Sequence, residues 1–183
     1  MRAEEGAYAL ALPCHPPRAA EAPPALVEAL GSPPVEIHGI KALHRATYWM
    51  AVYGDEDAIR ALRPDTGRLL RELKANVVCT ARGREVDFVS RFFAPASGVD
   101  EDPVTGSAHA TLTPFWAARL GRTVLTARQL SRRGGALTCS LDGDRVWLRG
   151  ACRTYLRGFV SWPDVIRGRD ETLAGHEHTI DRS

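Results

Sequence analysis

The stretch Gly98-Val99-Asp100-Glu101-Asp102-Pro103-Val104-Thr105-Gly106-Ser107-Ala108-His109-Ala110 runs three acids straight into a proline, then opens a helix-forming segment with Thr-Gly-Ser. A helix N-terminus carries unpaired backbone N–H groups and a partial positive charge, so it can hold a carboxylate or an enolate-like oxygen. Gly106 lets a ligand come close to the backbone, and the Ser107 hydroxyl adds a donor. Asp102, fixed by Pro103, is expected to project its carboxylate toward the same spot. An acid opposite an anion hole is what proton transfer beside a carboxyl group requires. The plainer alternative is an ordinary capped helix, with Thr105 or Ser107 as N-cap and the acids complementing the dipole.

Other chemistry-bearing residues read as structural. His109 lies two residues beyond Ser107 and so points away from it, as a core or interface histidine. Arg91 sits among apolar neighbours in a strand and is expected to form an ion pair with Asp87 or with the acidic loop. Arg132-Arg133-Gly134-Gly135 reads as a solvated hairpin turn, with a reach to an acidic ligand as the alternative. Trp49, Trp116, Trp147 and Trp162 are core or half-core residues. Cys14, Cys79, Cys139 and Cys152 form no C-x-x-C pair and no metal-ligand spacing, and read as reduced thiols. Cys139 and Cys152 face each other only if they lie on adjacent strands.

The elements that must position these residues follow from pattern. Residues 7–12 read as an edge or terminal strand halted by Pro13, Pro16 and Pro17. A short helix runs from Ala25 to Gly31, and two extended runs occupy 35–53. Two short helices follow at Asp55–Leu62 and Thr66–Leu73. Strands at 76–80 and 86–93 precede the acidic loop. The long helix spans Gly106–Leu120, is closed by Gly121, and is expected to kink or break near Thr113 because of Pro114. Strands are predicted at 123–130, 136–141, 145–149 and 152–160, with a tight turn at Asp142-Gly143 and a bulge or turn at Gly150. The sum is an α+β chain with an antiparallel sheet.

With 24 Lys and Arg against 22 Asp and Glu in 183 residues, scattered rather than clustered, nothing favours nucleic acid. No apolar run is long enough to span a bilayer, and residues 1–5 do not open a signal peptide, so a cytoplasmic protein is expected. Neither a phosphate-binding glycine loop nor a dinucleotide fingerprint nor a metal motif is present, which makes cofactor-independent chemistry the default.

Several separated blocks together resemble the PhzF family of phenazine-biosynthesis-like isomerases. They are Asp87 to Pro95, Gly98-Val99 with Glu101 to His109, Pro114-Phe115-Trp116-Ala117, Leu120-Gly121, Gln129 to Gly135, and Val146 to Gly150. Upstream, Tyr8 to Pro13 and Leu62-Arg63-Pro64-Asp65 also fit. The resemblance implies a diaminopimelate-epimerase-like fold, in which each of two similar halves wraps a sheet around a central helix and the active site lies between them. On that basis residues 1–34 are a remnant of the N-terminal half with its connection, 35–165 a complete C-terminal domain, and 166–183 a polar tail. It assigns Asp102 to substrate hydrogen bonding and proton handling, with Ser107 beside it, and gives Thr105, Gly106 and Ser107 the substrate.

The family's general-base glutamate and its Gly-His-Ala-Thr stretch belong to the first half, and neither is recognised here; Leu43-His44-Arg45-Ala46-Thr47 is a coincidental likeness. The expectation is therefore a cofactor-free, homodimeric isomerase acting on a small carboxylate-bearing substrate, catalytically incomplete as this chain alone. The alternative is a truncated, non-catalytic remnant or a small-ligand or protein-binding module.

Overall fold

A computed structural model describes residues 2–4, 7–40 and 47–152. The strand expected over 152–160 beyond Cys152, Trp162, the polar tail and most of Leu43–Thr47 lie outside the described residues. In chain order the elements are β1 (Arg2–Glu4), β2 (Ala7–Pro13), β3 (Arg18–Ala19), α1 (Pro24–Leu30), β4 (Glu36–Ile40), β5 (Thr47–Val52), α2 (Glu56–Ala61) and α3 (Thr66–Arg68). Then come β6 (Ala75–Arg82), β7 (Phe88–Ala94), β8 (Val99–Asp102), α4 (Gly106–Leu120), β9 (Val124–Gln129), β10 (Gly135–Asp142) and β11 (Arg145–Ala151). A wider π-type turn, Leu69–Leu73, prolongs α3.

All the strands join one sheet in the order β1-β2-β11-β10-β9-β7-β6-β5-β4-β3, with β8 paired to β7. The sheet is antiparallel except at β5/β6 and β7/β9. Parallel neighbours need a crossover, and a helix is the usual one. Here α2 and α3 connect the first pair and α4 the second, and the two crossovers lie on opposite faces. Met50, Val52, Val78, Phe88 and Phe92 pack with α4 on one side. Ala51, Val77, Cys79, Val89 and Phe93 pack with α1, α2 and Leu69 on the other. Strands covered on both faces lose the apolar/polar alternation, and β6 is buried from Ala75 through Ala81.

The sheet curls around α4, which packs against β2, β9, β10 and β11. Ala108 to Pro114 are all buried, as expected of a helix enclosed on every side. Pro114 lies inside the continuous helix, so of the expected kink or break the break does not occur. The carbonyl that Pro114 leaves without a helical donor, Ala110 O, accepts the N–H of His15 at 3.1 Å, and Thr113 Oγ1 donates to His109 O at 2.7 Å.

Two strand expectations also change. β2 is not an edge strand, since it lies between β1 and β11, and Pro13 is its last residue, paired with Arg145, where a missing donor costs little. Gly150 makes no bulge and stays in register opposite Tyr8. The turn at Asp142-Gly143 does form, with Gly143 at φ +55°.

Candidate active site

β8 alternates its two last acids between opposite sides. Glu101 turns toward Arg91, which donates Nε to Oε1 at 2.7 Å and Nη2 to Oε2 at 3.0 Å. Of the two partners expected for Arg91, the acidic loop supplies the carboxylate. Asp87 instead accepts from Arg122 and from the Thr126 N–H and hydroxyl. The remaining Arg91 donor, Nη1, goes to Leu62 O at 2.8 Å and Ile59 O at 3.3 Å, at the C-terminal end of α2. One guanidinium thus ties the acidic loop to the helix beneath it.

Asp102 faces the other way, toward the start of α4. The two short helices are capped in the usual manner: Asp55 Oδ1 accepts Ala58 N–H and Asp65 Oδ1 accepts Arg68 N–H, each at 2.8 Å. α4 departs from this. Thr105 occupies the N-cap position, but its side chain makes no cap bond, and its hydroxyl donates to Asp102 Oδ2 in a short contact. The plain capped-helix alternative therefore does not describe this end, and among the described residues no side chain caps the first turn of the central helix.

The loop is held from behind by Gln129, a residue only 1 % exposed. Its Oε1 accepts Thr105 N–H at 2.9 Å, while Nε2 donates to Asp102 O at 2.6 Å and to Thr105 Oγ1 at 3.1 Å. Ser131 Oγ donates to Pro103 O at 2.7 Å. Gly135 is required by crowding, because a Cβ there would lie 2.4 Å from Val104 Cγ2. Sequence reasoning did not single out Gln129, yet a signal was present: β9 alternates exposed and buried residues, and Gln129 is a polar residue in the inward phase with Leu125 and Ala127.

The mouth of the site is open. Ser107 is exposed while Thr105 is buried, and Ser107 borders a narrow cleft formed with Ile40, Tyr48, Phe92 and Thr111. A larger pocket of about 630 Å³, lined by Cys14, His15, Arg18, Gly39 and Ile40, meets that cleft at Ile40. Asp102 lines neither. Leu10 and Tyr8, 41 % and 39 % exposed, continue the β2 face that carries Leu12. A Cβ at Gly106 would meet Leu148 Cδ1 at 3.6 Å and Leu12 Cδ1 at 3.7 Å, which is ordinary contact. Gly106→Ala is accordingly expected to fold with a melting temperature equal to or a few degrees above that of the parent, as reduced unfolded-state freedom gives about 0.4–1 kcal/mol. A melt lowered by several degrees would contradict this.

Residues 22–158 match the family described as phenazine biosynthesis-like protein, PhzC-PhzF. The chain belongs to this family. It is 52 % identical over 125 residues to an uncharacterised isomerase of Pseudomonas aeruginosa, covering 68 % of this chain and 46 % of that protein. A second uncharacterised isomerase of the same organism is 41 % identical over 158 residues, covering 86 % and 59 %. Among solved structures, a PhzF-family protein of Enterococcus faecalis superposes with a TM-score of 0.74 at 38 % identity, covering 84 % of this chain and 57 % of that one. The chain thus spans about half the length of the relatives it matches.

In this PhzC-PhzF chain the remaining candidates fall where their chemistry predicts. His109 is completely buried beside Phe88, its Nδ1 donating to Thr105 O at 2.7 Å, with Nε2 unpartnered among the described residues. Burial pushes its pKa down from the usual 6.5, against the smaller upward effect of the Thr105 carbonyl. The unfolded chain therefore binds this proton more readily, so stability falls as pH drops below about 6.5. The expected slope from this one group is at most about 1.4 kcal/mol per pH unit. His109→Asn, which keeps a donor at the Nδ1 position, should flatten thermal melts measured from pH 7 to 5; an unchanged slope would refute the assignment.

Arg132 and Arg133 are exposed in the β9–β10 connection. Trp116 is buried, and Trp49 and Trp147 are half-buried. The four cysteines are free thiols, Cys139 buried and Cys152 exposed just past β11, and burial pushes Cys139 up to about 12. Among the described residues no three His, Cys, Asp or Glu side chains converge as metal ligands do, and no helix is long and apolar enough to cross a membrane.

Proposed function

We propose that the chain carries the aspartate-bearing wall of a cofactor-independent isomerase site that moves a proton at carbon in a small carboxylate-bearing substrate. The observation that carries this reading is the diversion of the Thr105 hydroxyl to Asp102, which leaves the first-turn N–H groups of α4 uncapped beside a positioned carboxylate. Gly106 and Ser107 N–H with the Ser107 hydroxyl would hold the substrate carboxylate or its enolate-like form, where anion binding is strongest. Asp102 would bond the substrate and handle the proton. The isomerase names of the Pseudomonas aeruginosa relatives support the reaction class.

No imidazole, thiol or cationic side chain among the described residues hydrogen-bonds to Asp102. Proton transfer at carbon needs a partner across the substrate, and the open mouth with Leu10 and Tyr8 beside it fits a second wall. In this reading that wall comes from further polypeptide or from the second subunit of a homodimer. The test is solvent deuterium incorporation, followed by NMR, into a panel of small cyclic and α-amino carboxylates that includes a dihydroxyanthranilate type, with this chain alone and with the N-terminal portion of a PhzF-family protein added. Exchange at carbon in either arm supports the proposal. Binding of a panel carboxylate without exchange in both arms would favour a carboxylate-binding module instead.

A further inference from the structure

We propose that Gln129 is the positioning residue of this site, a relay that fixes where the Asp102 carboxylate points and keeps the start of α4 uncapped; this rests on the isomerase reading above. The argument comes from what each atom can do. A backbone N–H only donates and a backbone carbonyl only accepts, so Thr105 N–H and Asp102 O set the orientation of the Gln129 amide. With Oε1 on Thr105 N–H and Nε2 on Asp102 O, Nε2 also reaches Thr105 Oγ1. That hydroxyl, already accepting from Nε2, directs its own proton to Asp102 Oδ2. Each bond dictates the next, and hydrogen bonds chained in this way polarise one another.

The relay has two consequences for chemistry. With its oxygen held at Asp102 and Gln129, the Thr105 hydroxyl makes no bond to a first-turn N–H, so the anion-binding end is held open. The carboxylate is also tethered at both ends of its residue, main-chain oxygen and side-chain oxygen, by groups traced to one buried amide. The surrounding segment is built to the same end: Ser131 anchors Pro103 O, and Gly134 N–H donates to Ser131 Oγ at 3.0 Å. Gly135, for its part, makes room for Val104. The blocks Glu101–His109 and Gln129–Gly135, 20 or more residues apart, are therefore one mechanical unit.

The test uses the full chain and three variants. In Gln129→Leu, amide exchange at Thr105 should quicken about 10-fold or more, while β9 and β10 amides keep their protection. The Asp102 Hα–Hβ couplings should pass from single-rotamer to averaged values. Gln129→Glu keeps the acceptor for Thr105 N–H but not the donors, so it should keep Thr105 protected yet average Asp102. Should the leucine variant not fold, Thr105→Val removes the hydroxyl alone and should also average Asp102. Single-rotamer couplings at Asp102 in Gln129→Glu or Thr105→Val would overturn the relay. Where exchange into a panel carboxylate is seen, Gln129→Glu should lower kcat about 10- to 100-fold, with a smaller rise in KM as the α4 start loses its held-open state; a loss confined to KM would also overturn it. Absence of exchange in both arms, the parent alone and the parent with the added N-terminal portion, sinks the isomerase reading alone, because the amide and coupling measurements do not depend on turnover.

Discussion

Asp102→Asn is expected to cut deuterium incorporation by about 10²- to 10⁴-fold, the usual contribution of a positioned acid or base, with little change in the melting temperature. Asparagine has nearly the same shape, and its Oδ1 can still accept the Thr105 hydroxyl that now binds Oδ2. The Gln129 bond to the main-chain oxygen of residue 102 is independent of the side chain. What disappears is the negative charge and the capacity to take up and return a proton. Parallel kinetics and melts separate the outcomes: parent-like exchange in the variant would remove Asp102 from the chemistry and leave it a binding feature, whereas a large drop in melting temperature would make the loss of rate uninformative and would contradict the shape argument.

The largest effect on stability is expected at Arg91. Its side chain is 12 % exposed and that of Glu101 22 %, so the pair is mostly, though not wholly, withdrawn from water. Arg91→Met strips Glu101 of its bidentate partner and removes the Nη1 bonds to Ile59 O and Leu62 O, the latter then keeping Arg63 Nη1 as donor. Breaking a buried pair from one side costs roughly 3–5 kcal/mol, and solvent access lowers that here to about 2–4 kcal/mol. For a domain of this size the melt should fall by about 5–15 °C. Arg91→Lys should land between the two, since an ammonium cannot reproduce the fork. The double variant Arg91→Met/Glu101→Met should recover part of the loss, as no charge is then left unpaired. Equal melts for the single variant and the parent would show that the pair adds nothing to stability, and a double variant at the sum of the two singles would show the residues to be uncoupled.

Much of the architecture could be read from pattern because its signals are local. Gly31 and Gly121, at φ +70° and +63°, close α1 and α4 where the sequence places those ends, and Asp55 and Asp65 open α2 and α3. The two parallel pairings could not be read this way. β5 and β6 are rich in apolar residues on both faces, and nothing within either strand states the direction of its neighbour. Pro114 misled for a related reason: the penalty for its missing bond is local, but the remedy, the His15 N–H, lies far away in sequence. The site divides similarly. Asp102, Thr105, Gly106 and Ser107 lie within one short stretch and announce themselves together. Gln129 acts only because the parallel pairing of β7 with β9 sets it opposite Ser90, against the acidic loop.

The pairing of β2 with β11 bears on how the molecule is made. Residues 7–13 find their partner in residues 145–151, so β2 must wait through the synthesis of residues 14–144 before that partner exists. At typical elongation rates of about 5–20 residues per second, that wait lasts on the order of ten seconds. During that time, among the described strands, β2 has β1 but not β11 beside it, and Tyr8, Leu10 and Leu12 lack the cover of the finished sheet. Closing this register also requires one of the longest loops among the described residues, so it should be among the last events of their folding and should limit its rate. The segment that completes the floor beneath α4 is thus the one most in need of protection from wrong partners during synthesis.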